Sequence, residues 1–167
     1  FKHPDIDLWR DSLHHGLFYT IKNTNIILSG GIDDIWFNQN DKQLIVVEYK
    51  SQSNNRPITT QSYLAGTYRE SYKTQLDIYA FLLTKMGFAV SGTGYFYVCN
   101  AKRNASGFDS HIEFEETLVP YKCQINWIDA KLNEMSSLLN SYELPERNPS
   151  CENCAYAFQR SILEKST

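Results

Sequence analysis

The sequence has no apolar run near the roughly 18 residues that cross a bilayer; its longest are Leu44–Val47 and Ile78–Leu83. No spanning helix, and no membrane partner, is expected. Cysteine is scarce, with four in 167 residues: Cys99, Cys123, Cys151 and Cys154. That is far below a disulfide scaffold and suits a reducing, cytoplasmic setting. Positive charge is not in excess either, since 16 Lys and Arg face 19 Asp and Glu for a net of −3. A chain that coats nucleic acid stoichiometrically is basic, so that class is excluded. An enzyme holding a metal between carboxylates can be acidic and still bind phosphates locally, so catalysis on nucleic acid survives. The opening FKHPDIDLWR carries two acids and no apolar stretch, so no secretory signal is expected. Without an initiator Met the chain reads as a fragment or trimmed product, which leaves room for an upstream segment or a larger complex.

What is present describes a globular chain. Hydrophobic residues make up 42% and charged residues 21%, which argues against disorder. Its 19.3 kDa fits one domain over 1–167, large enough to bury a core without a staple. A cysteine-bearing tail occupies about 145–167.

Periodicity orders the elements. Ile6, Trp9 and Leu13 recur at helical spacing behind Pro4 and Asp5. Leu17–Ile21 and Asn25–Asn38 read as strands, the second with Gly30-Gly31 inside it as a bulge or a point of close approach. The polar turn Asn38–Asp41 makes a hairpin with Gln43–Lys50. Four consecutive aliphatics, Leu44–Val47, mark that last strand as central and buried on both faces. Ser51–Ser71 reads as a polar connection, long for a structureless loop and therefore functional or mobile. Tyr72–Met86 is the clearest helix, closed by Gly87. Gly94–Asn100 and His111–Tyr121 read as strands, and Asn126–Ser141 as an amphipathic helix. The order is mixed α/β.

One constellation carries chemistry. The central strand runs apolar and then places Glu48 and Lys50 two apart, so both emerge on one face. Each needs a partner if buried. Asp33, on the neighbouring strand of the hairpin, can lie across from Glu48. Two carboxylates a few ångström apart repel unless a cation sits between them, and Mg²⁺ with carboxylates, water and phosphate is the usual occupant. A lysine beside them can orient a water or stabilise developing charge. Gln75 and Tyr79, at i and i+4, share a helix face. By themselves these residues also fit a structural Glu–Lys pair with a turn aspartate, and a helix with a polar edge and a core aromatic.

In order along the chain, G-x-x-D at Gly30–Asp33, E-x-K at Glu48–Lys50 and Q-x-x-x-Y at Gln75–Tyr79 resemble the PD-(D/E)xK nuclease superfamily. The last motif resembles its RecB-like branch, which includes the CRISPR-associated adaptation exonucleases. The resemblance implies a restriction-endonuclease-like fold, a mixed central β-sheet flanked by α-helices. It also implies a Mg²⁺- or Mn²⁺-dependent deoxyribonuclease, exonuclease-like on single strands. In that reading Asp33, Glu48 and the Tyr49 carbonyl bind metal, Lys50 assists the attacking water, and Gln75 and Tyr79 organise the site. The first-helix acid or histidine of that branch has no clear counterpart, since His14 and His15 stand just before the first strand.

Arg56, Arg69, Tyr72 and Lys73 follow the central strand. Cations interleaved with aromatics suit single-stranded DNA or DNA ends, and equally an ordinary polar loop. Cys151 and Cys154 have the spacing of half a zinc or iron–sulfur site. Iron–sulfur members of the resembling branch use four thiolates, so a cluster is not expected on these two; zinc would need a borrowed further ligand, and a plain packed tail is the preferred reading. The readings that compete with a nuclease are a non-catalytic nucleic-acid-binding or assembly module on the same fold, and an accessory protein organised by metal at the two cysteines.

Overall fold

Strand Gln43–Gln52 is the axis of the molecule. It lies second in a four-stranded sheet of order β3-β4-β5-β6, numbered along the chain as β3 Asp34–Asn38, β4 Gln43–Gln52, β5 Thr93–Ala101 and β6 Phe114–Lys122. The β3–β4 and β5–β6 pairs are antiparallel, while β4 and β5 run parallel. A parallel neighbour requires a crossover, and helix α3 (Glu70–Lys85) supplies it. A separate antiparallel pair joins β1 (Leu17–Thr20) to β2 (Ile27–Gly30). Helix α1 (Ile6–Arg10) precedes it, and a short helix α2 (Thr60–Leu64) lies between β4 and α3. This computed structural model describes residues 3–104, 107 and 110–165. Two compact units emerge, Phe1–Lys131 and Leu132–Thr167, with the boundary inside helix α4 (Ile128–Leu139).

The core of the first unit lies between one sheet face and α3. Val46 and Phe96 from the sheet meet Leu76, Ala80 and Leu83 from the helix, with Trp9, Leu17 and Ile32 closing the side. Gly94 lets the two layers approach, because a Cβ there would stand 2.7 Å from a Leu76 methyl. Asp77 ties the next segment down. Its carboxylate, 4% exposed, accepts from the Gln124 N–H at 2.7 Å and from the Tyr121 hydroxyl and Trp127 indole at 3.3 Å.

Residues 25–38 are not one strand. The chain leaves the β1–β2 pair after Gly30 and enters the main sheet at Asp34. The crossing is held from outside: the Ile32 N–H donates to the Trp9 carbonyl at 3.0 Å, and Ile32 is buried. Gly31 lies so close to Ser12 that a Cβ would stand 2.4 Å from the serine Cβ. The two glycines thus mark a change of sheet, and Asp33 sits at the crossing, one residue before β3.

The 51–71 connection also differs from a structureless loop. β4 extends to Gln52, and α2 is opened by a reciprocal capping box between Thr59 and Ser62. A 3₁₀ turn at Thr67–Arg69 then leads into α3, which starts two residues earlier than the apolar periodicity shows. The tail from Glu152 to Lys165 is helix α5, none of whose residues is buried.

Candidate active site

Two features of β4 make the site. The strand is buried from Val46 through Glu48, which is only 2% exposed, and it continues past its last pairing with β3, at Val47. The register pairs Asp34 with Val47, so the chain preceding β3 passes Glu48 and Tyr49 as irregular backbone. The Tyr49 N–H, left without a ladder partner on that side, donates to Asp33 Oδ2 at 2.8 Å. This bond fixes Asp33 beside Glu48.

On the face toward α3, Lys50 Nζ contacts Glu48 Oε1 at 2.6 Å and Gln75 Oε1 at 3.2 Å. It also lies 4.4 Å from the centroid of the Tyr72 ring. Gln75 in turn donates through Nε2 to the Tyr79 hydroxyl at 2.8 Å. Tyr79 is wedged against Gly30, where a Cβ would come within 2.8 Å of the tyrosine ring. The three motif segments are therefore joined in one chain of contacts, Gly30 to Tyr79 to Gln75 to Lys50 to Glu48.

Glu48 Oε2 is buried and, among the described residues, has no hydrogen-bond partner. Burial pushes the Glu48 carboxyl above its ordinary value and the Asp33 charge adds to the rise, with the Lys50 ammonium opposing both. A buried carboxylate oxygen left open beside a second carboxylate is costly for an apolar pocket and suited to a hard cation. The donor set fits Mg²⁺ or Mn²⁺. Among the described residues no group of three or more His, Cys, Asp and Glu side chains converges on one point.

Asp34, adjacent in sequence, is fully occupied elsewhere. It pairs with Arg10 at 2.5 Å and accepts from the Tyr49 hydroxyl at 2.8 Å and the Trp36 indole at 3.3 Å. Although burial opposes it, these donors hold Asp34 below the usual carboxylate range. His14 and His15 both turn to Asp11, at 3.2 and 3.1 Å.

The loop cations are placed differently from one another. Arg56 is exposed. Lys73 pairs with Glu70 at 2.7 Å. Arg69 is 7% exposed, with its guanidinium 3.8 Å from the Tyr63 ring centroid and 4.8 Å from that of Tyr68. It donates to the Tyr63 carbonyl at 2.7 Å and to Gln52 Oε1 at 3.1 Å. Gln52 shares the β4 face of Glu48 and Lys50, so Arg69 staples the α2 segment onto the end of β4. In the second unit, the Cys154 N–H donates to Cys151 Sγ at 3.4 Å, and all four cysteines are free thiols. Asp77 and Arg69 gain their structural roles from partners 47 and 17 residues away in sequence; no local spacing signals either.

The model of the PD-(D/E)XK nuclease superfamily matches residues 6–159. The chain belongs to this superfamily. The mixed four-stranded sheet flanked by helices is its restriction-endonuclease-like fold, and membership suggests a nuclease acting on nucleic acid. PD-(D/E)XK nucleases typically use divalent metals such as Mg²⁺, in keeping with the open carboxylate oxygen of Glu48. No curated protein and no solved structure matches the chain. No helix among the described residues is long and apolar enough to cross a membrane.

The raised Glu48 carboxyl has a consequence for stability. A folded-state value above the unfolded one favours the protein at low pH and costs stability as pH rises through the folded value. Glu48→Gln removes the charge, keeps an acceptor for Lys50, and offers an amide N–H to Asp33. In EDTA the variant is expected to melt higher than the wild type at pH 7, and the difference to shrink below pH 4. Thermal scans across that range check it; a lower midpoint at pH 7 contradicts the strain assigned to Oε2.

Proposed function

We propose that the protein is a metal-dependent deoxyribonuclease of the RecB-like type that hydrolyses phosphodiester bonds, with a preference for single strands or ends. The observation that carries this reading is the buried, unpartnered Glu48 Oε2 beside Asp33, with the Lys50 ammonium 2.6 Å from the other oxygen of the same carboxylate. Asp33, Glu48 and the Tyr49 carbonyl would hold Mg²⁺ or Mn²⁺. When bound, such an ion supplies Lewis-acid stabilisation of phosphate charge and lowers the pKa of a water.

The protein's own groups do the rest. An ammonium has three donors, and Glu48 and Gln75 take two of them. The third is free to orient a water or to meet charge on the phosphate. Gln75, which itself donates to the Tyr79 hydroxyl, holds Lys50 by a hydrogen bond and adds no charge to the site. Arg56, Tyr72 and Lys73 contact the strand, and Arg69 fastens the α2 segment that lies between Arg56 and Tyr72 along the chain. Single-strand preference rests on the exposed aromatic of the same connection, Tyr68, which is 67% exposed and able to stack on a base.

The test is incubation of end-labelled single-stranded DNA, duplex DNA and RNA with Mg²⁺, Mn²⁺ or EDTA. Products from single-stranded DNA, present with metal and absent in EDTA, are expected. Binding without products under any metal would favour the assembly-module reading instead.

A further inference from the structure

A cleft of about 860 Å³ in the first unit lies not at the carboxylates but beyond them, where β4 and β5 end. These strands are the parallel pair of the sheet, and ligands of open α/β sheets bind outside the carboxyl ends of parallel strands. We propose that this cleft is a subsite for single-stranded DNA flanking the scissile phosphate, taking one or two nucleotides. The proposal rests on the nuclease reading and extends it.

Its floor is a built polar surface. Asn100, 5% exposed, accepts from the Asn54 N–H at 2.8 Å and donates to the Asn54 carbonyl at 2.9 Å. This pair fastens the end of β4 to β5. The Arg56 N–H then donates to Asn54 Oδ1 at 3.1 Å, which bends the chain so that Arg56 lines the cleft. Lys102 and Arg103 line it as well.

Charge selects the ligand. Lys102 is neutralised by Glu113 at 2.9 Å. Arg56 and Arg103 have no carboxylate partner among the described residues, and Glu115 on the wall offsets only one of them. Two guanidiniums over a floor of amides suit a phosphate, by charge-assisted bonds, and a base edge, by amide contacts. A volume in the range of ~300–1,000 Å³ takes a small ligand or a splayed strand and not a duplex. Asn54 follows Lys50 by four residues, about 13 Å of extended chain, so a strand cut at Lys50 reaches the cleft within a few nucleotides.

The test is fluorescence anisotropy of a labelled 12-mer oligothymidine in EDTA, where binding is read without cleavage. Arg56→Ala/Arg103→Ala is expected to bind at least tenfold more weakly. Its log–log salt dependence should fall by about 1.4, for two phosphates lost from a single strand. Arg56→Lys/Arg103→Lys should recover most of the affinity, and circular dichroism verifies that both variants fold. Unchanged affinity and slope in the alanine variant overturn the subsite. That failure is distinct from failure of the nuclease reading, which would show as no cleavage by the wild type with Mg²⁺ whatever the anisotropy reports.

Discussion

Lys50→Met is expected to lower DNA cleavage by roughly 10²–10⁴-fold, the range for loss of a positioned catalytic group, with strand binding changed no more than a few-fold. Methionine keeps the unbranched stem and removes the charge. Among the described residues the ammonium is the one cation touching Glu48, at 2.6 Å, and it is held by Gln75 and by the face of Tyr72. None of those three can replace its charge. Loss of Lys50 has a second effect, because its hydrogen bond and charge restrain the upward shift of the Glu48 carboxyl. Without it Glu48 holds its proton to higher pH, so residual activity in the variant should move to a more alkaline profile. Rates measured from pH 6 to 9 separate the two effects: a uniform drop is loss of the ammonium's direct part, and a displaced acid limb is loss of its hold on Glu48. Wild-type rates in the variant would remove Lys50 from the reaction.

The second large effect is on folding. Asp77→Ala leaves the Gln124 N–H, the Tyr121 hydroxyl and the Trp127 indole without their acceptor. Orphaning such donors costs ~1–3 kcal/mol for the most buried of them, and a lost network typically exceeds one bond. A loss of about 3 kcal/mol is expected, or roughly 6–12 °C in the thermal midpoint for a chain of this size. Asp77 stands two residues from both Gln75 and Tyr79, yet it faces β6 and the start of α4, so below the transition the variant should retain cleavage. Burial raises the Asp77 carboxyl, with Gln124, Trp127 and Tyr121 opposing the rise. By linkage, the stabilisation is then greatest at low pH and declines as pH rises through the folded value. Chemical denaturation at pH 5 and pH 8 measures both points. An unchanged midpoint would mean that the β6–α4 segment is held by apolar contacts alone.

The sequence makes the site more legible than the path that builds it. Glu48 and Lys50 could be placed together because a strand has a strict period of two, and Gln75 with Tyr79 because a helix has a period of 3.6. The central position of β4 follows from Leu44–Val47, which leaves no polar face. What did not show was the break after Gly30. Alternation of Ile26, Leu28, Ile32 and Ile35 suggests one strand, whereas the change of sheet is imposed by Trp9 and Ser12 from α1 and its C-terminal end. Long-range contacts of that kind have no local signature. The same holds for the 51–71 segment, where short elements are fixed by Arg69 reaching back to Gln52 and Tyr63. Asp77 has no local signature either, because its donors come from Tyr121, Gln124 and Trp127.

The most direct test of the account is cleavage of end-labelled single-stranded DNA by the wild type and Glu48→Ala, purified side by side, each with Mg²⁺ and with EDTA. The open Glu48 oxygen beside Asp33 predicts products from the wild type with metal, none in EDTA, and none from the variant under either condition. Equal products from both proteins would place the chemistry elsewhere, or in a contaminant, and contradict the account.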